Sequence, residues 1–292
     1  MSHKVLVIVG PTASGKSGAA INLAKKYSSE VISADSVQVY KQLDIGSGKV
    51  TPDEIGNVQH HLIDVVDPGK NFTTEDYRNL GNKAINKILQ NNNLPIIAGG
   101  TGFYIDTLVK NIKYPVVDDD HKHQLQDLDV TALQDLANKK IPQSELDKID
   151  TNNPARLRSR LGLWLTHGYI PRPQKINRDI DLEFIWLGIN PGKETLHQNI
   201  TKRTTERLQT GLIDEVVSLL QSGINTDWLM SVGLTYRLVV KYLNGEHSSI
   251  EELEKQIIRS EIRYAKRQMT WFKRNKKIKW FKTSNELIDY FE

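Results

Sequence analysis

Gly10-Pro11-Thr12-Ala13-Ser14-Gly15-Lys16-Ser17 stands between an apolar run, Val5-Leu6-Val7-Ile8-Val9, and a helix-patterned run over residues 18–27. A glycine-bounded loop ending in Gly-Lys-Ser, with a strand before it and a helix after it, is the phosphate-cradling pattern in its confirming context. The residue types follow from the chemistry. Gly10 and Gly15 let the backbone curl so that successive N–H groups face inward, Lys16 reaches the terminal phosphate, and the Ser17 hydroxyl can sit on a magnesium ion. Pro11, Thr12, Ala13 and Ser14 complete the cradle, which faces the positive end of a helix dipole. The alternative is a glycine-rich turn that binds nothing, but such a turn rarely brings both flanks with it. The loop specifies a polyphosphate without specifying which.

The 292 residues are 38% hydrophobic and 25% charged, a soluble globular composition with room for one full core and an accessory domain. No run approaches the length of a membrane span. Met1-Ser2-His3-Lys4 leads directly into a strand, so no signal or transit peptide is expected. The lack of cysteine excludes disulfides and thiolate metal sites and agrees with a cytoplasmic location. The net charge of +4 hides an asymmetry. Residues 255–282 hold eleven Lys and Arg against Glu261 alone, a local +10 that leaves about −6 for the rest. One end of the protein is therefore expected to engage a polyanion.

Past the first helix, Glu30-Val31-Ile32-Ser33 reads as a short buried strand that delivers Asp35 to the strand's carboxyl end, where open α/β sheets bind ligands. Gly46-Ser47-Gly48-Lys49 mimics a second phosphate loop but has no strand before it, and reads as a flexible turn. His60 and His61 are adjacent on an extended stretch and point to opposite faces, which argues against a shared metal. Thr73 with Asp76 starts a helix over residues 74–90. Leu94-Pro95-Ile96-Ile97-Ala98 is another buried strand, running into Gly99-Gly100-Thr101 where phosphate-loop enzymes that use ATP usually place an acid for magnesium. The phosphates then belong to something other than a nucleotide. Asp118-Asp119-Asp120-His121-Lys122-His123 reads as a solvated turn. Residues 181–189 form a strand that returns to the sheet, followed by helices over 193–210 and 212–220. Arg259, Arg263 and Arg267 recur every four residues, placing three guanidinium groups along one helix face as a rail for phosphates; the plainer reading is an amphipathic surface helix with Trp271 and Phe272 in the core, and both can hold. The strand-helix alternation predicts an α/β protein with a parallel sheet core.

These segments, with Asp35-Ser36-Val37-Gln38-Val39-Tyr40, Asp44-Ile45-Gly46, His60-His61-Leu62-Ile63-Asp64, Gly99-Gly100-Thr101-Gly102-Phe103-Tyr104 and Ala265-Lys266-Arg267-Gln268-Met269-Thr270-Trp271-Phe272, resemble the ordered signatures of the bacterial tRNA isopentenyltransferase family across nearly the whole chain. The resemblance implies transfer of a dimethylallyl group from dimethylallyl diphosphate to the exocyclic amine of the adenosine just 3′ of the tRNA anticodon, with Mg²⁺ assisting at Ser17 and diphosphate leaving. It implies a core over residues 1–110, an inserted, mostly helical tRNA-binding domain over 111–178 that embraces the anticodon stem-loop, and core completion with a basic helical region over 179–292. A monomer is expected.

An aromatic amine is a poor nucleophile, so a carboxylate able to take its proton is useful, and Asp35 is the candidate general base; the alternative is that it only caps the next turn. Lys16, Mg²⁺ on Ser17 and the loop amides would stabilise the leaving diphosphate. By the resemblance Thr101 lies near the reacting groups and Arg203 contacts the diphosphate. Ser36, Val37 and Gln38, together with Asp35 and Thr101, would meet the RNA, as would Arg156, Arg158, Arg160, Arg263 and Arg267. The family's Gly-Lys-rich segment after the arginine helix is replaced here by Gly168-Tyr169-Ile170-Pro171-Arg172-Pro173. Three rivals stand beside this reading. A free-nucleotide isopentenyltransferase would need no rail, a small-molecule kinase would want the missing acid, and a non-catalytic RNA binder has no use for Lys16 with Asp35.

Overall fold

A computed structural model describes residues 2–291. In β1 (His3–Val9) alternate residues serve opposite faces, so that Val5, Val7 and Val9 enter one core and Leu6 and Ile8 another. The phosphate loop leads into α1 (Lys16–Lys26), followed by β2 (Val31–Ala34), the short α2 (Pro52–Ile55) and β3 (His60–His61). Next comes α3 (Thr74–Gln90), which opens with a full capping box: Asp76 N–H donates to the Thr73 hydroxyl while the Asp76 carboxylate accepts from Thr73 N–H. β4 (Ile96–Gly99) and α4 (Gly102–Lys110) follow.

The chain divides into two compact units, residues 2–111 with 177–291, and residues 112–176. The second unit begins with β5 (Ile112–Lys113) and holds α5 (Asp119–Gln126), α6 (Val130–Lys140), α7 (Gln143–Leu146) and α8 (Pro154–His167), closing with β6 (Gln174–Lys175), which pairs antiparallel with β5. Leu125, Leu133, Ala137, Leu157 and Leu161 form its own core. The acid cluster at 118–123 is not a turn. Asp118 caps α5 by accepting from His121 N–H at 2.8 Å, and Asp119 and Asp120 occupy the first turn, where the helix dipole favours negative charge.

Back in the first unit the chain forms β7 (Leu182–Ile189), α9 (Lys193–Gln209), α10 (Leu212–Gln221), α11 (Thr226–Val232), α12 (Leu234–Leu243), α13 (Ile250–Phe272), β8 (Lys279–Phe281) and α14 (Ser284–Phe291). The six-stranded sheet runs β3-β2-β4-β1-β7-β8 and is parallel throughout. One face packs on α3, α4 and Phe272 of α13, and the other on α1 and Leu287 of α14. β8 lies inside the basic tail and adds a strand that the sequence reading did not place there. Ile278 is buried, Trp280 and Phe281 pack against the sheet, and the Lys279 ammonium rests on the Tyr290 ring, so part of the basic run closes the fold. The register sets Val9 and Ala34 each opposite Gly99, so the chain leaves β1, β2 and β4 at one edge. That alignment brings the phosphate loop, Asp35 and Thr101 together. No helix among the described residues is long and apolar enough to cross a membrane.

Candidate active site

The loop curls through left-handed backbone at Ala13 (φ 59°) and Gly15 (φ 89°). Gly10 is needed for another reason than the curl assigned to it from sequence. A Cβ there would lie 2.7 Å from both the Ile189 carbonyl oxygen and the Ser14 hydroxyl, so only a bare backbone passes. The Lys16 ammonium donates to the Pro11 carbonyl at 3.1 Å from inside the loop. Burial brings its pKa down to about 8, opposed by the Asp35 carboxylate and reinforced by the Arg203 charge. Two buried polar atoms at this spot have no hydrogen-bond partner among the described residues, the Ser14 hydroxyl and Arg203 Nε. Orphaned donors beside a curled run of amides suit the oxygens of an anion.

One oxygen of Asp35 caps the turn, the alternative weighed from sequence. Its Oδ1 accepts from Val37 N–H at 2.9 Å and Gln38 N–H at 3.3 Å, which shapes the turn. Its Oδ2 makes no hydrogen bond within the described residues. The carboxylate lines two cavities, a 60 Å³ pocket shared with Lys16 and Ser17 and a 270 Å³ pocket shared with Ser36, Val37, Tyr264 and Arg267. A third space of about 640 Å³ lies along Ala13, Ser14, Gly15, Lys16 and Ser17, and Arg203 borders all three. Thr101 Oγ1 accepts from Ser36 N–H at 3.1 Å, tying the turn after β2 to the turn after β4. Gln38 faces inward, donating to the Gly48 carbonyl at 3.1 Å.

The sequence reading missed the inner face of α13. Leu253, Ile257, Glu261, Ala265, Gln268 and Phe272 form its buried stripe, and two of the six are polar. Gln268 Oε1 accepts from Thr12 N–H at 2.8 Å and its Nε2 donates to the Gly100 carbonyl at 3.0 Å, so one amide joins the phosphate loop to the Thr101 turn. Glu261, the single acid of the basic run, is 6% exposed and accepts from Arg203 at 2.5 Å and Arg207 at 2.7 Å. Burial pushes its carboxyl up, but the two guanidiniums outweigh this and hold it below the ordinary range. Arg203 also donates to the Thr12 hydroxyl. Tyr264 is pushed up to about 12, first by burial and then by the Asp35 carboxylate.

Another correction concerns residues 46–49. The Glu215 carboxylate accepts from the N–H groups of Asp44, Ile45 and Gly46 at 2.8, 2.6 and 3.0 Å and from the Tyr236 hydroxyl at 2.8 Å, while the buried Lys49 reaches Asp64 at 2.6 Å and also pairs with Asp44. The loop is anchored rather than flexible. His60 and His61 have separate partners, the Val58 carbonyl and the Glu30 carboxylate.

A profile described as IPP transferase matches residues 38–275. The chain belongs to the IPP transferase family. It is similar to the tRNA dimethylallyltransferase of Caldanaerobacter subterraneus subsp. tengcongensis, 34% identical over 291 residues covering 96% of this chain and 92% of that protein. It is similar also to the tRNA dimethylallyltransferase of Acetivibrio thermocellus, 36% identical over 287 residues covering 94% and 90%. Among solved structures, the tRNA isopentenylpyrophosphate transferase from Bacillus halodurans superposes with a TM-score of 0.73 at 31% identity, covering 99% of this chain and 96% of that one.

As an IPP transferase the chain is an enzyme of prenyl transfer from a diphosphate. On the outer face of α13 in this IPP transferase, Arg259, Arg263 and Arg267 are exposed, with Arg267 over the Tyr264 ring at 5.6 Å. In the second unit the three arginines of α8 part company. Arg156 pairs with Asp150 at 3.4 Å and Arg160 is exposed, but Arg158 turns inward and donates to the carbonyls of Leu125 and Leu128 at 2.8 and 2.9 Å. Arg158 thus fastens the end of α5 and is withdrawn from the set of RNA contacts.

Proposed function

We propose that this IPP transferase moves a dimethylallyl group from dimethylallyl diphosphate to the exocyclic amine of the adenosine 3′-adjacent to the anticodon of tRNA. The observation that carries the reading is Asp35, the one carboxylate common to the 60 Å³ phosphate-loop pocket and to a separate 270 Å³ cavity bordered by Arg267 of the basic helix. The donor enters from one side and the base, flipped from its stack, from the other. The amine lone pair forms the new bond to the allylic carbon, the bond from that carbon to the diphosphate oxygen breaks, and the amine proton passes to the free Oδ2 of Asp35. Lys16, Arg203 and the loop amides stabilise the charge gathering on the diphosphate. Gln268 holds the two turns in register, and Thr101 fixes the backbone next to the base.

The Ser17 hydroxyl shares its pocket with Asp35 and the Lys16 ammonium, and no cluster of three acidic or histidine ligands exists among the described residues. One hydroxyl with diphosphate oxygens is a donor set of hard oxygens, which fits Mg²⁺. When bound, Mg²⁺ would neutralise part of the diphosphate charge. Mass spectrometry of bulk tRNA from cells with and without the gene tests the reading: prenylated adenosine is expected only with it, and an unchanged nucleoside profile rejects it. A free nucleotide prenylated as fast as tRNA by the purified enzyme would favour the nucleotide-modifying alternative.

A further inference from the structure

Of the α8 arginines, Arg160 has no partner among the described residues, and it opens onto a groove of about 580 Å³ that belongs wholly to the second unit. Trp164, one turn further along α8, lies on the same face. The opposite wall is the stretch 169–173. α8 ends at Gly168 in left-handed backbone, and the next residue, Tyr169, presents its ring to solvent at 61% exposure. Pro171 and Pro173 keep the following backbone extended around Arg172. Lys148 is neutralised by Glu145 at 2.6 Å, so the uncompensated charge of the groove is the two guanidiniums of Arg160 and Arg172.

We propose that this groove holds one unstacked nucleotide of the RNA, its base against Tyr169 and Trp164 and its phosphate against Arg160 and Arg172. The inference rests on the reading of RNA as substrate and adds to it a second foothold, outside the catalytic unit, that senses single-stranded structure. The volume falls in the range of small-ligand sites. Exposed aromatic rings with guanidinium groups beside them are how proteins grip unpaired bases, because every base offers a π-face and every nucleotide a phosphate. A duplex keeps its bases inside and cannot fill such a groove, whereas a loop or bulge can. An acidic peptide would satisfy the arginines but leave the rings without a flat partner.

The test uses the full chain and two RNAs, a tRNA transcript and a fully paired duplex. Stacking of one base on an aromatic side chain corresponds to a loss of about 5- to 150-fold in affinity on truncation. Tyr169→Ala should weaken the transcript by that order, leave the duplex and the donor KM unchanged, and be rescued by Tyr169→Phe. Arg172→Ala, which removes no ring, should lower the log-log salt slope for the transcript by about one unit. Equal weakening of both RNAs, or wild-type binding of the transcript by Tyr169→Ala and Arg172→Ala, overturns the proposal. So does loss of poly-glutamate binding with transcript binding intact, which would make the groove a site for acidic proteins. Prenylation of the same transcript by the unmodified enzyme is measured alongside. Its failure strikes the substrate reading, while a loop-selective loss of binding strikes neither.

Discussion

The phosphate loop presents a curled backbone and one lysine within eight residues, whereas α13 contributes only side chains and does so on two faces. Outward it shows Arg259, Arg263 and Arg267 to solvent. Inward it sends Glu261 to Arg203 and Arg207, and Gln268 to Thr12 and Gly100. A run of charge therefore has no single function here. The helix that turns three arginines to solvent also braces the phosphate loop through Gln268, so under the proposed function it would serve both substrates.

The largest effect should come from Asp35→Asn, which keeps the turn-shaping oxygen and loses the proton acceptor. Its kcat should fall by about 10² to 10⁴ at saturating tRNA with an unchanged melting point. A lowered melting point with a near-normal chemical step would reduce Asp35 to a turn cap. Next, Gln268→Ala leaves the Thr12 N–H and the Gly100 carbonyl without their partner, at about 1–3 kcal/mol. The donor KM should rise by roughly tenfold while tRNA affinity holds, and the reverse pattern would erase the distinction between the faces of α13. Arg263→Ala with Arg267→Ala should weaken tRNA a few-fold and flatten the log-log salt dependence by about one unit for each phosphate that is no longer neutralised. A slope equal to that of the parent enzyme would make both arginines ordinary surface residues.

At neutral pH the smallest effect comes from the titration of Lys16, which grows only above about pH 8. Lys16 titrates at about 8 in the donor-free protein, and a diphosphate above it favours the charged form, so the bound pKa is higher. Between the two values donor binding takes up a proton, and KM should climb as pH rises above about 8, by up to roughly tenfold per unit. Lys16→Arg, whose charge does not titrate there, should abolish the climb. A pH-independent KM in the parent enzyme would contradict a buried, ionisable Lys16.

What was legible in the sequence was local. The strands at 5–9, 31–34, 96–99 and 182–189 are apolar runs beside turn residues, and the Thr73 capping box lies within four residues. Asp35 could be placed because the strand before it is short and buried. β8 was hidden because Lys279-Trp280-Phe281 sits in a stretch of lysines, where charge masked the pattern. Gln268 and Thr12 are 256 residues apart, and no spacing rule reaches that far. A signal did exist: Glu261 and Gln268 fall on the apolar stripe of α13, opposite the arginines, where a polar residue must find a buried partner. Arg158 shows the converse, since three arginines within one turn look alike in sequence and only packing decides which one turns inward.

The division of labour is tested most directly by measuring donor and tRNA binding side by side for Lys16→Ala and for Arg263→Ala with Arg267→Ala. Lys16→Ala should lose the prenyl diphosphate and keep tRNA, and the double arginine variant should weaken on tRNA and keep the prenyl diphosphate. Lys16→Ala losing tRNA with its donor affinity intact would contradict the assignment of the loop to the donor.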